Sequence, residues 1–403
     1  MAKLNHNTDI LVFGCGPAGL ATASTFTNLG YKVTCIETLN ENQFRKNLSL
    51  DNRSTAILMP GIDLFNKIGI WKAIKPHSTP IDIMRLADAG GEDGEIRYLA
   101  DFKALEVDKK QFGFNVPNLI LKEQMMKNLE KTTDFSIIFN SKLSKVITRS
   151  KEIVAVLDNS LKISAKLIIA ADGRGSFLRE SYNIKKKTWS YDQKALAFVV
   201  SHSKPHKNIS TEIHKDRGPF TLVPLNNSDG TNRSAVVWMD RSSKIDTLLA
   251  MGSASFNYEL QSRSINVLGK IKIEGPKTCW PIISQYSKKL YAERLALIAE
   301  AAHVFPPIGA QGLNTSFGDL RCLSNIVEEC KQNGQDYGLE EHLERYNKIR
   351  WPQIYLKVLG IDALNRAALF EKKILRDLRL QSLKAIHQND QLRSIAMSSG
   401  LGY

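Results

Sequence analysis

The segment DILVFGCGPAGLATASTFTNLGYKVTCIE, residues 9–37, decides the fold class of this chain. Its apolar run at residues 10–13 is typical of a buried parallel strand, and a glycine-rich turn, a helix and a second strand follow it. In the turn, Gly14 permits the sharp change of direction, Gly16 lets the backbone approach a pyrophosphate, and Gly19 lets the helix pack closely on the strand. The start of the helix directs free N–H groups toward the phosphates.

Glu37 closes the second strand, 18 residues after Gly19. A carboxylate at this position can accept hydrogen bonds from both hydroxyls of an adenosine ribose. A bare GxGxxG pattern is weak evidence, but here the strand, the helix and the acid all accompany it. We therefore predict a Rossmann-like dinucleotide-binding site rather than a chance turn.

The chain has 403 residues and a formal net charge of +14. Such a charge suits nucleic acid, an anionic membrane surface or an anionic substrate, although an ordinary lysine-rich surface is the simpler interpretation. No nucleic-acid-binding motif accompanies the charge, so we expect no nucleic-acid partner. No apolar segment reaches the ~20 residues of a membrane-spanning helix, and the N-terminal residues carry no secretory signal pattern. The five scattered cysteines form no CxxC pair, which predicts a cytoplasmic, reducing location without a disulfide framework or a metal site.

The pattern of apolar residues changes twice along the chain. Strand–helix alternation runs to about residue 74, short alternating runs between turns fill residues 187–280, and the chain after residue 319 is mostly helical, with a break expected at Pro352. We predict an α/β protein in which an antiparallel β-sheet substrate domain interrupts a Rossmann-like dinucleotide-binding domain, with C-terminal helices after both. The dinucleotide-binding domain would comprise residues 1–75, 105–185 and 285–330, the sheet domain residues 76–104 and 186–284, and the helical region residues 331–403.

Two further segments place an acid after a buried strand. LIIAADGRGS, residues 167–176, contains Asp172 and Gly173, and RLALIAEAAHVFPPIGAQGLN, residues 294–314, contains Glu300. Ligands of open α/β sheets bind at the carboxyl ends of the strands, where these acids would lie. Taken singly, each acid could belong to an ordinary turn or surface, and His303 could be a structural histidine. Their order after the GxGxxG pattern favours a common site.

The chain resembles the class A FAD-dependent aromatic hydroxylases, which share the p-hydroxybenzoate hydroxylase fold. Within them it is most similar to the ubiquinone-biosynthesis hydroxylases of the 2-polyprenyl-6-methoxyphenol hydroxylase group, over nearly its whole length. The resemblance implies FAD contacts at Gly14, Gly16, Gly19 and Glu37 for the ADP portion, Arg53 of a DxRxxA segment near the flavin, Asp172 and Gly173 for the pyrophosphate, Glu300 for the ribityl chain, and Pro307, Gln311, Gly312, Leu313 and Asn314 beside the isoalloxazine.

The chain departs from the commonest family pattern in two places. The usual GDAAH segment is here Ala299-Glu300-Ala301-Ala302-His303, where glutamate still offers a carboxylate, one methylene longer. Asn118-Leu119 stands where many relatives have Asn-Arg, which removes one flavin contact.

The resemblance also implies the reaction. NAD(P)H, or another donor, would reduce FAD, and O2 would then give a flavin C4a-hydroperoxide that hydroxylates the aromatic ring of a polyprenyl phenol in ubiquinone biosynthesis. The single GxGxxG segment implies that NAD(P)H binds only transiently. The hard chemistry belongs to the cofactor, and His303 is the candidate for proton transfer. The alternatives are a hydroxylase of a small soluble aromatic, a prenyl reductase on the same fold, and a non-enzymatic flavin-binding scaffold of a biosynthetic complex.

Residues 370–380, FEKKILRDLRL, form a basic and partly amphipathic segment. Such a helix could dock on anionic lipid at the inner face of the membrane, where a polyprenylated substrate resides. Packing on its own domain, or against a partner in a ubiquinone-biosynthesis complex, is the simpler interpretation.

Overall fold

The structure is a computed structural model that describes residues 6–91, 94–215 and 217–401. The strands are β1 (His6–Asn7), β2 (Ile10–Phe13), β3 (Val33–Ile36), β4 (Ser54–Leu58), β5 (Thr79–Ile81), β6 (Ile83–Asp88), β7 (Tyr98–Lys103), β8 (Gly113–Pro117), β9 (Phe135–Ile138), β10 (Leu143–Thr148), β11 (Ile153–Leu157), β12 (Lys162–Ala165), β13 (Leu167–Ala170), β14 (Lys186–His202), β15 (Ile209–His214), β16 (Pro219–Ser228), β17 (Thr231–Arg241), β18 (Ile271–Ser287), β19 (Tyr291–Ala292), β20 (Leu295–Leu297) and β21 (His303–Val304). The α-helices are α1 (Pro17–Asn28), α2 (Glu41–Leu50), α3 (Met59–Lys67), α4 (Trp71–Ile74), α5 (Asn118–Leu129), α6 (Phe177–Ser181), α7 (Ser242–Ala250), α8 (Ser253–Arg263), α9 (Ala299–Ala302), α10 (Gln311–Gln332), α11 (Glu340–Ala368), α12 (Lys373–Gln388) and α13 (Asp390–Leu401), with 3₁₀ helices at Lys75–His77 and Ala104–Val107.

A six-stranded sheet, in the order β19-β20-β13-β2-β3-β9, forms the centre of the dinucleotide-binding region. Its strands from β20 to β9 pair in parallel, and only β19 is antiparallel. The four residues of β2 are at most 5% exposed, as expected for a strand covered on both faces. This confirms the predicted α/β fold class.

Two smaller sheets complete this half of the molecule. One has the strand order β1-β12-β11-β10, and the other has the order β4-β8-β5. Strand β4 begins directly after Arg53, so the three-stranded sheet fixes the end of the DxRxxA segment.

An eight-stranded sheet, in the order β21-β18-β14-β17-β16-β15-β6-β7, forms the predicted sheet region. Its neighbouring strands pair antiparallel, as predicted, except β15 and β6, which are parallel. Its outer face carries large apolar side chains, among them Phe220 and Trp238, in one cluster with residues of α7 and α8. Its opposite face, here called the inner face, carries a smaller separate cluster that includes Val199, Val223 and Ala235. Strands β6 and β7 join this sheet, and so does β21 from the range predicted for the dinucleotide-binding domain. The division of the chain into domains stays a prediction. Residues 1–5, 92–93, 216 and 402–403 of those predicted ranges lie outside the described residues.

Helix α11 continues through Pro352, where the sequence predicts a break. Residues on both sides of the proline are anchored in the core: Arg350 binds Asp319, and Ile354 is only 2% exposed. These contacts offset the backbone hydrogen bond that the proline cannot donate.

Helix α12 contains most of the basic segment, and part of that segment packs on its own domain. The guanidinium of Arg379 lies 3.1 Å from Asp88 of β6, and its side chain is 9% exposed. Lys372, Ile374 and Leu378 remain on the surface, Ile374 with 81% of its area exposed. The predicted basic surface therefore lacks Arg379, which anchors the helix instead.

Candidate active site

Three chain segments meet at the carboxyl end of the six-stranded sheet. The Gly14 N–H donates to the Ile36 carbonyl at 3.0 Å, and the Ala171 N–H donates to the Phe13 carbonyl at 2.9 Å. The Ile298 N–H donates to the Ala170 carbonyl at 3.1 Å. The GxGxxG turn, the Asp172 turn and the Glu300 turn are thereby brought together, as their order in the sequence predicts.

The three glycines of the GxGxxG turn differ in why the structure needs a glycine at each position. An added Cβ on Gly14 would lie 2.5 Å from the Ala171 carbonyl oxygen, and on Gly19 it would lie 1.8 Å from the Gly14 carbonyl oxygen. An added Cβ on Gly16 would meet nothing within 4 Å. Gly14 and Gly19 are thus required by packing inside the protein, whereas Gly16 borders open space at the start of α1.

Helix α1 begins at that space without a capping side chain. Its N-cap is Gly16, and Pro17 occupies the first turn. The free N–H groups of the first turn and the positive end of the helix dipole suit a phosphate. The open space and the uncapped helix together fit the diphosphate of a dinucleotide.

Glu37 is held at the edge of the same space. One carboxylate oxygen accepts from the Cys15 N–H at 3.2 Å, and the other accepts from the Leu39 N–H at 3.0 Å. That second oxygen, Oε1, also accepts from the Thr38 hydroxyl at 3.3 Å. Because a carboxylate accepts about four hydrogen bonds, the lone pair left for a further donor is on Oε2. The arrangement suits a hydroxyl of a ribose.

Asp172 has one buried carboxylate oxygen, Oδ1, without a hydrogen-bond partner, while Oδ2 accepts from the Leu178 N–H at 3.4 Å. Burial raises the pKa of this carboxyl. The following residue, Gly173, has φ +84°, and an added Cβ there would meet open space. A buried acceptor beside open space fits a ligand or water that supplies a donor.

Arg53 and Glu300 are the residues that the sequence assigns to the flavin side of the site. Arg53 donates to Asp51 at 2.8 Å and lies 6.0 Å from the ring centroid of Trp280. Burial opposes ionisation of Asp51, but hydrogen bonds from Arg53 and Lys122 lower its pKa well below the usual range. The Glu300 side chain is 54% exposed and lies 3.4 Å from Arg174, so it is not a buried acid in this structure.

Ala299 adopts a left-handed backbone conformation, with φ +54°. This conformation strains an alanine and suits a glycine, which explains why the commonest family segment begins with glycine here. The Ala299 N–H donates to Asp319 at 3.2 Å and holds the turn in place.

Asp319 and Arg350 are functional neighbours that the sequence analysis does not identify. Asp319 accepts from His303 Nε2 at 2.6 Å and from Arg350 Nη2 at 2.8 Å, and it is fully buried. Burial opposes its ionisation, but His303 and Arg350 lower the pKa of the carboxyl. The only available signal was a charged residue between the apolar positions Phe317 and Leu320 of α10.

The predicted PxxxQGLN segment joins α10 to its surroundings. Asn314 Oδ1 accepts from the Leu58 N–H at 2.9 Å, and Asn314 Nδ2 donates to the Ala56 carbonyl at 2.7 Å, which ties the segment to β4. Gln311 Nε2 donates to the Gly400 carbonyl at 2.8 Å and therefore reaches α13. An added Cβ on Gly312 would meet open space. The side chains of Asn314 and Gln311 are thus engaged within the protein, whereas Gly312 borders open space.

Lys357 lies behind this segment. Its ammonium group donates to Gln311 Oε1 at 2.8 Å, and burial lowers its pKa to about 8. Pro307 and Leu313 belong to the same loop and helix start. Which of these residues touch FAD stays a prediction.

Comparisons with known proteins agree with this geometry. The FAD binding domain family matches residues 7–354. The chain is 27% identical to the ubiquinone hydroxylase UbiL of Rhodospirillum rubrum over 396 residues, which cover 98% of this chain and 89% of that protein. It is 24% identical to the 3-demethoxyubiquinol 3-hydroxylase of Escherichia coli over 398 residues, or 99% of each chain. The p-nitrophenol 4-monooxygenase PnpA of Pseudomonas putida has the same fold, with a TM-score of 0.79, 15% identity and 99% coverage of both chains.

Proposed function

Because this chain belongs to the FAD binding domain family, we propose that it is an FAD-dependent monooxygenase that hydroxylates the aromatic ring of a polyprenyl phenol in ubiquinone biosynthesis. When bound, FAD supplies the redox chemistry by which one atom of O2 enters the ring, with NAD(P)H as the expected electron donor. The protein binds and orients both molecules and keeps water from the reacting atoms.

The open space beside Gly16 is the observation that carries the cofactor assignment. It lies at the uncapped start of α1, and Glu37 and the unpartnered oxygen of Asp172 border the same edge of the sheet. In this assignment, the α1 N–H groups hold the diphosphate and Glu37 holds the adenosine ribose. Arg53 lies toward the flavin end, where Trp280 of the eight-stranded sheet begins the substrate side.

The inner face of the eight-stranded sheet supports an apolar substrate. Val199, Ala235 and Val223 lie side by side across β14, β17 and β16, and Val237 adjoins them. Val223 and Val237 are partly exposed, so this part of the inner face is accessible to a ligand. Small aliphatic side chains at this place leave room for an aromatic ring and part of a prenyl chain.

We further propose peripheral contact with the membrane through α12, since the substrate of such an enzyme resides in the bilayer. Lys372, Lys373, Ile374 and Leu378 are exposed together at the beginning of this helix. Basic and apolar side chains on one helix surface suit an anionic lipid surface. No helix among residues 6–91, 94–215 and 217–401 is long and apolar enough to cross a membrane.

The function can be tested with FAD-loaded protein, NADH or NADPH, isotope-labelled O2 and a phenol that carries a short prenyl tail. We expect one labelled oxygen atom in the product ring. Conversion of small untailed phenols but no tailed ones would instead support the soluble-aromatic alternative. FAD binding without oxygen transfer to any phenol would contradict the hydroxylase function.

A further inference from the structure

Strand β15 carries a glutamate–histidine pair that no part of the proposed cofactor site uses. His214 Nε2 lies 2.7 Å from Glu212 Oε1, and the two side chains are 18% and 15% exposed. They are two positions apart on one strand and therefore project from the same face of the sheet.

Strand register places this pair on the inner face. Glu212 is opposite Thr221 of β16, which is opposite Val237 of β17, which is in turn opposite Ala197 of β14. Residues opposite one another in a sheet share a face, so Glu212 stands in a row that crosses the inner face and continues to Leu86 of β6. The next row of the same face contains the apolar cluster of Val199, Val223 and Ala235.

The borders of this face include other parts of the predicted site. Asn115 of β8 donates to the Pro224 carbonyl at 2.8 Å, beside Val223, and Asn115 is opposite Ala56 of β4. Ala56 in turn accepts from Asn314 of the PxxxQGLN segment. The inner face beside Val223 therefore adjoins the PxxxQGLN segment.

The charged residues described beside the Glu212–His214 pair form ion pairs with one another. His214 is opposite Asp88 of β6, which binds Arg97 and Arg379. Arg379 also donates to the carbonyl oxygens of His214 and Lys215. Glu212 itself lies opposite the apolar Leu86, and its side-chain hydrogen bond is the one with His214.

The contact within the pair is made by one ring nitrogen. His214 Nε2 lies 2.7 Å from Glu212 Oε1, and His214 Nδ1 is buried without a hydrogen-bond partner among the described residues. The imidazole therefore fixes the position of one Glu212 carboxylate oxygen.

We propose that Glu212 is the proton acceptor for the hydroxyl group of the phenol substrate and that His214 is its positioning residue. The phenol O–H bond breaks, its proton passes to the Glu212 carboxylate, and the electron pair stays on the phenol oxygen. The ring then carries more electron density at the positions ortho and para to that oxygen, where an electrophilic oxygen atom enters. After the oxygen transfer, the ring carbon that bears the new C–O bond loses its proton to solvent. The first phenol oxygen takes its proton back from Glu212, which restores both the aromatic ring and the Glu212 carboxylate.

The assignment rests on the proposed hydroxylase function and completes it. Ring oxygen transfer needs an electron-rich ring, and a positioned general base typically contributes about 10²–10⁴-fold in rate. His303, the proton-transfer candidate from the sequence, is 2% exposed and its Nε2 is bonded to Asp319. The Glu212 side chain, by contrast, is 15% exposed and lies on the inner face beside Thr221.

The first test compares Glu212→Gln with Glu259→Gln, a matched removal of a carboxylate on α8, where Glu259 binds Lys244 at 2.8 Å on the outer side of the sheet. With FAD-loaded protein and a short-tailed prenyl phenol, we expect Glu212→Gln to lower product formation about a hundredfold or more. FAD content should match the wild type, and Glu259→Gln should retain full activity. Equal activity of Glu212→Gln and wild type would overturn the assignment, whereas an inactive wild type would contradict the proposed function instead.

A binding measurement gives a second readout that does not depend on turnover. The probe is a prenylated nitrophenol, bound to the oxidised FAD-loaded protein and followed by its effect on the flavin absorbance. The affinity of the wild-type protein for the probe should fall as pH rises through the pKa of the probe, because Glu212 repels the phenolate. In Glu212→Gln, the decrease in affinity over the same pH range should be at least about tenfold smaller. An equal decrease in both proteins would contradict the placement of Glu212 beside the phenol.

The role of His214 is tested by two substitutions. Glutamine at this position can still donate an N–H to Glu212, and leucine cannot. We expect His214→Gln to retain several times the kcat of His214→Leu, with a shifted pH–rate profile in the latter and similar FAD content in both. Equal kcat values and identical pH profiles would remove His214 from the mechanism.

Discussion

The Nε2 atom of His303 lies 2.6 Å from the Oδ2 atom of Asp319, and both side chains are excluded from solvent. Asp319 also binds Arg350 of α11 and the Ala299 N–H. One carboxylate therefore connects both ends of the Glu300 turn to the helix behind it. The relationship makes His303 part of the framework that shapes the predicted ribityl site.

Asp319→Asn should strongly destabilise the protein. The change leaves Arg350 as a buried charge without a counter-ion, and breaking a buried pair in this way typically costs about 3–5 kcal/mol. Chemical denaturation should show the loss as a lower transition midpoint. The control is Asp246→Asn, which removes a 56% exposed partner of Lys194 and should cost less than about 1 kcal/mol.

Low pH should decrease the free energy of unfolding, because it protonates aspartates that form ion pairs in the folded protein. The pKa values of Asp88 and Asp319 are lowered in the folded state by their arginine partners, despite burial. In the unfolded chain they titrate near about 3.9, so their contribution to stability is complete above that pH and is lost as pH falls below it. The free energy of unfolding, measured from pH 7 to pH 3, should fall most steeply at the acid end. A flat profile below pH 5 would contradict this account.

Gly16→Val should lose FAD binding, whereas Gly19→Val should lose the folded structure itself. An added side chain at Gly16 enters open space, so Gly16→Val should fold normally and lose FAD uptake. An added Cβ at Gly19 overlaps the Gly14 carbonyl oxygen, so Gly19→Val should not give a stable protein. Circular dichroism and FAD titration of the purified variants distinguish the two, and FAD uptake by Gly16→Val would place the diphosphate elsewhere.

Glu300→Ala should weaken FAD binding about ten- to hundredfold, as expected for a charge-assisted hydrogen bond of about 1.5–3 kcal/mol, while Glu300→Asp should preserve most of the affinity. The stability of the FAD-free protein should change little, because the Glu300–Arg174 pair is exposed. FAD affinity from fluorescence titration and the apo-protein melting temperature are measured together. Unchanged affinity in Glu300→Ala would show that the ribityl chain lies elsewhere.

Membrane contact through α12 predicts binding to vesicles that contain anionic lipid. Replacing both Lys372 and Lys373 with Gln should weaken binding about thirtyfold, since each basic residue near such a surface contributes about 1 kcal/mol. Salt should release the wild-type protein, and the flavin spectrum should not change. The control replaces Lys127 and Lys131 near the end of α5 with Gln. Equal binding to neutral and anionic vesicles would exclude this surface as an electrostatic anchor.

The sequence predicts the fold class and the order of the cofactor segments because these depend on local patterns. Gly14, Gly16 and Gly19 have fixed spacings, and the buried strands β2 and β13 are continuous apolar runs. Asp319 and Arg350 could not be paired from the sequence, since they belong to different helices and meet only through packing.

The orientation of α12 could not be predicted from the sequence either. Its periodicity permits Arg379 to face either lipid or protein, and only the position of Asp88 on β6 decides between them. Pro352 shows the same limit: a local rule predicts a break in the helix, but tertiary contacts at Arg350 and Ile354 override it.

The strand order of the six-stranded sheet has a consequence for how the protein folds. Ile168 of β13 pairs with Leu11 on one side and with Leu295 on the other, so the sheet is complete only after β14 to β18 of the eight-stranded sheet have been spanned. Pairings between such distant residues slow folding, because loop-closure entropy is lost before the contacts form. We therefore expect the pairing of β13 with β20, which brings the Glu300 turn to the GxGxxG turn, to form late in folding.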